Sequence, residues 1–131
     1  MPTNLSTRAE RLDGVEILRA AGEVDLSTAA RLGRALEQAG AVVPGAPLIA
    51  DLTEVEFIDS AGARVLALAD RNAAARGAEL LIVPSEFVSR VLEVSGLVSA
   101  LQVYAELSTA METARALATD RTVGGAPPAA G

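Results

Sequence analysis

The stretch D-L-T-E-V-E-F-I-D-S-A-G, from Asp51 to Gly62, sets a serine behind a run of acids and in front of an alanine-rich segment. Ser60 there has two uses for its hydroxyl. It can cap the helix that follows, since serine is a favoured residue at that position. It can also accept a phosphate, which the exposed N–H groups and partial positive charge of a helix start would accommodate. Nucleophilic catalysis is a poor third. The chain contains no histidine, and all eleven basic residues are arginine, so no imidazole or amine base stands ready. Nor does the spacing form the G-x-S-x-G elbow of the hydrolases. A carboxylate enzyme would have to rely on Asp51 and Asp59, but Asp51 has apolar strand neighbours and no second acid at a recognisable spacing. Cysteine is absent too, which excludes disulfides, thiolate chemistry and Cys-ligated metal.

Charge and length narrow the partners. The 131 residues suit one domain, and half of them are apolar, enough for a core without staples. A formal net charge of −6, with scattered arginines, leaves no basic stripe for phosphate backbones or anionic lipid. Direct binding to nucleic acid or to a membrane is therefore not expected. No apolar run approaches the roughly 20 residues that span a bilayer, and Met1 to Glu10 lacks the apolar region of a signal peptide, so a cytoplasmic location is expected. With Phe57, Phe87 and Tyr104 the only aromatics, base stacking and aromatic ligand pockets have little to be built from. No metal and no cofactor are expected.

The elements that must position Ser60 follow from periodicity. Leu5 to Leu12 and Val15 to Gly22 read as strands joined by Asp13-Gly14, a dipeptide that favours a type I′ hairpin turn. Ser27 to Ala39 has apolar residues at helical spacing, with Ser27 or Asp25 as cap and Gly40 as a left-handed stop. Leu48 to Leu52 reads as a buried strand, Thr53 to Asp59 as a loop, and Ser60 to Arg76 as a helix ending at Gly77. Glu79 to Val83 is a strand closed by Pro84, after which Ser85 caps a helix ending at Gly96. Leu101 to Ala105 is a last strand, and Ser108 caps a helix to Leu117. These elements give an ordered domain over residues 1–118, while 119–131, rich in Gly, Pro and Ala, reads as a flexible tail. The order implies an α/β domain: an N-terminal β-hairpin feeding successive right-handed βαβ units, a mostly parallel sheet, and helices mainly on one face.

Asp51-Leu52, Val55, Phe57-Ile58-Asp59-Ser60 and Gly62 together resemble the signature of the STAS domain, a family named for sulfate transporters and anti-sigma-factor antagonists. Gly22-Glu23-Val24-Asp25, followed by Thr28-Ala29, is similar to the segment that opens that family's first helix. Val88 to Leu97, with Arg90 and the closing Ser95-Gly96-Leu97, resembles its third helix. The resemblance covers about Leu5 to Leu117. It departs from many relatives at Ala61, where they carry a second serine, and at Ala63, where they carry a leucine.

The resemblance implies a partner switch. In the anti-sigma-antagonist branch, the unmodified domain binds an anti-sigma factor that is also a serine kinase of the histidine-kinase ATPase fold, and a sigma factor is freed. The kinase phosphorylates the serine after the motif aspartate, the complex dissociates, and a metal-dependent serine phosphatase restores the binding form. By motif position that serine is Ser60, and the chain itself is expected to be no enzyme and to be monomeric when alone. The partner-contacting residues expected on this basis are Glu23, Asp25, Thr28, Asp59, Ser60, Ala61, Gly62 and Arg64. Gly62 would let a partner approach the backbone closely. Asp59 would orient or present Ser60; Arg64, one turn further on, either reaches a phosphate or is simply solvated. Within the same fold, the alternative is a non-catalytic scaffold module of a stress-signalling assembly or of a transporter complex.

Overall fold

The computed structural model describes residues 4–125, with side chains as far as Asp120. The chain opens on an antiparallel hairpin, β1 (Leu5–Leu12) and β2 (Val15–Val24), registered from Leu5 opposite Gly22 to Leu12 opposite Val15. Asp13 and Gly14 take φ of 56° and 78°, the pair of positive values that a type I′ turn demands. From there each strand adds beside the last: β3 (Leu48–Ile58), β4 (Leu80–Pro84) and β5 (Gln102–Val103) are parallel to β2, giving a sheet ordered β1-β2-β3-β4-β5.

The crossovers carry α1 (Ala29–Val42), α2 (Ser60–Ala75) and α3 (Glu86–Val94), and all three pack on one face. Crossovers of one hand that step in one direction must do this. The core there is aliphatic, centred on Leu32, Leu36, Leu52, Ile58, Leu66, Ile82 and Leu92. The fourth helix, α4 (Leu107–Gly125), lies across the opposite face on a smaller core of Val15, Ile17, Ile49, Leu81, Val83, Ala110, Met111 and Ala114. No helix among the described residues is long and apolar enough to cross a membrane.

Several boundaries differ from the sequence reading, each for a physical reason. The segment Thr53 to Ile58 is strand, not loop, and pairs with β2 as far as Val24 opposite Ile58. Register shifts between Arg19 and Ala21 and between Gly22 and Glu23 break its alternation, so that only Val55 and Ile58 of the extension are buried. Gly40 does not stop α1; it is buried inside the helix, where a Cβ would collide with the Arg76 guanidinium. At the start of α1 the cap position is Thr28, and Asp25 instead closes the preceding turn, accepting from the Ser27 N–H at 2.9 Å. Ser108 lies within α4, whose first helical bond runs from Ala110 N–H to the Glu106 carbonyl at 3.2 Å. The tail expected from residue 119 is helical through Gly125, and 126–131 lie outside the described residues. Ser85 does cap α3 as expected, accepting from Val88 N–H at 3.2 Å.

Candidate partner-binding site

The long β3 delivers Ser60 to the C-terminal edge of the sheet, and hydrogen bonds fix the corner. The Asp59 N–H donates to the Val24 carbonyl at 3.1 Å, tying the start of α2 to the end of β2. The cap of α2 is Asp59, whose Oδ1 accepts from the Gly62 N–H at 3.1 Å. Ser60 therefore does not cap, contrary to one of its two sequence readings. It is the exposed first residue of a 16-residue helix, and its hydroxyl has no hydrogen-bond partner among the described residues. A carboxylate at this point also sits well with the positive end of the helix.

The neighbouring corner, at the end of β2, is equally tied down. Asp25 accepts from both the N–H and the hydroxyl of Ser27, the latter at 2.7 Å. Chiefly through that hydroxyl, its carboxyl is held below the usual carboxylate range. Glu23 is exposed, and Asp25 and Asp59 are half-buried, so these acids frame the edge on which Ser60 stands.

Two of the expected contact residues face the wrong way. Thr28 is completely buried; its hydroxyl donates to the Glu23 carbonyl and accepts from the Asp25 N–H, both at 2.9 Å. Its task is to brace the turn, and it offers a partner nothing. Gly62 points into the core, where an added Cβ would lie 2.5 Å from Ile58 Cγ1 and 2.7 Å from Val24 Cγ1. The missing side chain lets α2 settle onto β2 and β3, and does not open the backbone to an outside molecule. Ala61 is half-buried against the core, and Arg64 is exposed. Asp51, the other acid weighed for catalysis, is a structural residue: it is 5% exposed, bonds Arg19 at 2.8 Å, and accepts from the Thr53 N–H and hydroxyl.

The family model of the STAS domain matches residues 6–110, which include both corners. The chain belongs to the STAS domain family. Among curated relatives, this STAS domain is 28% identical to the anti-sigma-F factor antagonist RsfB of Mycobacterium tuberculosis over 120 residues, 92% of this chain and 98% of that protein. Its fold matches the crystal structure of an anti-sigma factor antagonist from Mycobacterium paratuberculosis with a TM-score of 0.79 and 28% identity, over 88% of this chain and 97% of that one. It also shares the fold of the Bacillus cell fate determinant SpoIIAA in its phosphorylated form, at a TM-score of 0.59 and 20% identity, over 82% and 99% of the two chains.

The STAS surface around Ser60 has apolar features that sequence reasoning missed. Phe57, at the end of β3, meets Phe87, at the start of α3, with ring centroids 5.5 Å apart, and the rings are 39% and 42% exposed. Leu26 at the β2–α1 corner and Val94 at the end of α3 are 83% and 86% exposed. Between α2 and α3 runs a groove of about 610 Å³ whose walls include Ser60, Arg64, Phe87, Arg90 and Val94. The available signal was the outward position of Phe87 and Val94 on a helix whose inward positions, Val88 and Leu92, already fill the core.

Proposed function

We propose that this STAS domain is an anti-sigma factor antagonist switched by a phosphate on Ser60. Unmodified, it binds an anti-sigma factor with serine kinase activity and so frees a sigma factor; phosphorylated, it lets the partner go. A serine phosphatase resets it. The chain then regulates transcription indirectly from the cytoplasm, as a monomeric binding protein without cofactor, and touches neither DNA nor membrane.

The observation that carries this reading is the division of labour at the mouth of α2. Asp59 takes the cap, and the Ser60 hydroxyl beside it is exposed and unpartnered. In the transfer step the Ser60 oxygen bonds to the γ-phosphorus of ATP as the bond to ADP breaks. The hydroxyl proton goes to a base of the kinase, because this chain has no histidine or lysine and Asp59 is engaged by Gly62. The names of the relatives above, two of them anti-sigma factor antagonists, support the same reading.

A phosphoserine adds about −1.5 to −2 charges. Here it would stand beside Asp59 on a chain already at −6. The helix start offsets part of it, equivalent to roughly +0.5 charge, so the fold survives while the docking edge changes sign. Placing that charge in an interface without a counter-ion costs several kcal/mol, and about 2.8 kcal/mol already weakens binding a hundredfold.

The test is phosphorylation of the purified chain by a kinase-type anti-sigma factor and ATP. One phosphate is expected, mapped to Ser60 by mass spectrometry and abolished in Ser60→Ala, and Ser60→Asp is expected to bind the unmodified form's partner more weakly. A phosphate mapped to another residue, or equal binding by Ser60→Asp, overturns the mechanism.

A further inference from the structure

The groove between α2 and α3 combines three properties not found together elsewhere among the described residues. Its floor and walls are apolar, from Ala63, Ala67, Val91 and Leu97, with Val94 left 86% exposed at its rim. It holds two cations on an otherwise acidic chain, Arg64 from α2 and Arg90 from α3. Finally, Ser60 lies on the same wall as Arg64, one helical turn away.

The cations are not committed. Arg11, Arg19, Arg76 and Arg115 each face a carboxylate of this chain. The guanidinium of Arg64, like those of Arg8, Arg34 and Arg71, has no hydrogen bond or ion pair with any described residue, and of these four only Arg64 lines the groove. Arg90 pairs only with Glu86, at 3.3 Å, with side chains 70% and 89% exposed, an arrangement that water and salt weaken. An apolar trough with an unneutralised guanidinium on one wall complements a ligand that is apolar and bears a carboxylate. About 610 Å³ is room for a few side chains.

We propose that this groove seats a short apolar segment of the anti-sigma factor that carries an acidic residue, and that Arg64 is the cation fixing that acid. The inference rests on the partner switch proposed above and adds to it a second way for the phosphate to act. A dianion on Ser60 lies within reach of Arg64 along the helix and draws the guanidinium onto itself. The partner's acid then loses its counter-ion and meets a negative charge instead. Phosphorylation in this scheme changes the specificity of a groove as well as blocking an edge.

The experiment measures affinities of the full chain for purified kinase-type anti-sigma factors from the source organism, with a non-hydrolysable ATP analogue present so that no phosphate is transferred. Val94 and Arg64 are both exposed, so Val94→Glu and Arg64→Glu keep the fold, checked by circular dichroism. Each is expected to weaken binding at least tenfold, while Arg64→Lys retains most of the affinity. Arg71→Glu, exposed on α2 outside the groove, is expected to change it less than twofold. The effects of Ser60→Asp and Arg64→Gln are expected to be non-additive, because both act on the same guanidinium.

Wild-type binding with both groove variants unaffected overturns the groove proposal and leaves the Ser60 switch standing. Strict additivity of the double variant overturns the shared role of Arg64. Failure of the wild type to bind any of these anti-sigma factors overturns the function and the groove together. A dimer of the free chain that Val94→Glu dissolves assigns the groove to a second copy of this chain, and also overturns the proposal.

Discussion

Replacing Asp59 separates the residue that holds the corner from Ser60, the residue proposed to take the phosphate. Asp59→Ala removes the acceptor for the Gly62 N–H at the start of α2 and also the negative charge next to the helix dipole. Loss of an N-cap side chain costs about 1 kcal/mol, within a range of about 0.5–2. The charge at a partly buried helix start contributes about 0.3–1 kcal/mol. Asp59→Asn keeps an amide oxygen that can accept the same bond, so it loses only the charge term, about 0.3–1 kcal/mol. Asp59→Ala loses both, about 1–3 kcal/mol. Ser60→Ala removes a hydroxyl without a partner, and is expected to stay within about 0.5 kcal/mol of wild type. Urea denaturation followed by circular dichroism reads all three, with an unchanged slope confirming that the folded and unfolded states are comparable. The expected ranking is Asp59→Ala below Asp59→Asn, with Ser60→Ala near wild type. The reasoning is refuted if Ser60→Ala destabilises as much as Asp59→Ala, because the serine would then be the cap.

Further substitutions probe the residues that the structure reassigns. Gly62→Ala should destabilise by about 1–3 kcal/mol through overpacking against Ile58 and Val24, although glycine to alanine within a helix ordinarily gains up to about 1 kcal/mol; the net loss in a denaturation midpoint checks it. Thr28→Val keeps the shape but leaves the Asp25 N–H and the Glu23 carbonyl without the hydroxyl, for an expected loss of about 1–3 kcal/mol by thermal or urea unfolding. Asp70 is pushed above its ordinary range by burial, so its protonated form is the better tolerated one in the folded chain. That contribution is present at low pH and is lost as pH rises through the raised value; Asp70→Asn should therefore be more stable than wild type at neutral pH and equal to it below the carboxylate range, as a pH series of melting temperatures would show.

The hairpin, the alternation of strands and helices, and with it a mostly parallel sheet with helices mainly on one face, were legible from turn and periodicity signals, whereas the order of the strands came from the structure. Asp13-Gly14 favours one turn, and the inward residues of α2, Leu66, Ala69 and Ala73, recur at helical spacing. The end of β3 was not legible. Thr53, Glu54 and Glu56 look like loop material because that part of the strand turns its polar residues outward and its bulges erase the period of two. The site divides the same way. Asp59 and Ser60 stand together in the sequence, but which of them caps depends on rotamer and backbone angle, and composition does not reveal that. Thr28 and Gly62 sit within the expected contact segments, and only the packing shows that both face inward. The groove joins residues of two helices separated by a strand, a relation that no short motif encodes.

The placement of α4 has its own consequence. Its small core includes the opening residues of β2 and β3, among them Val15 and Ile49, whereas Ser60 stands beyond the far end of β3. From Ile49 to Ile58 the strand extends about 30 Å at roughly 3.3 Å per residue. A lesion among Ala110, Met111 and Ala114 would thus lower the quantity of folded molecules a cell maintains, while the corner that holds Ser60 in each survivor would keep its geometry.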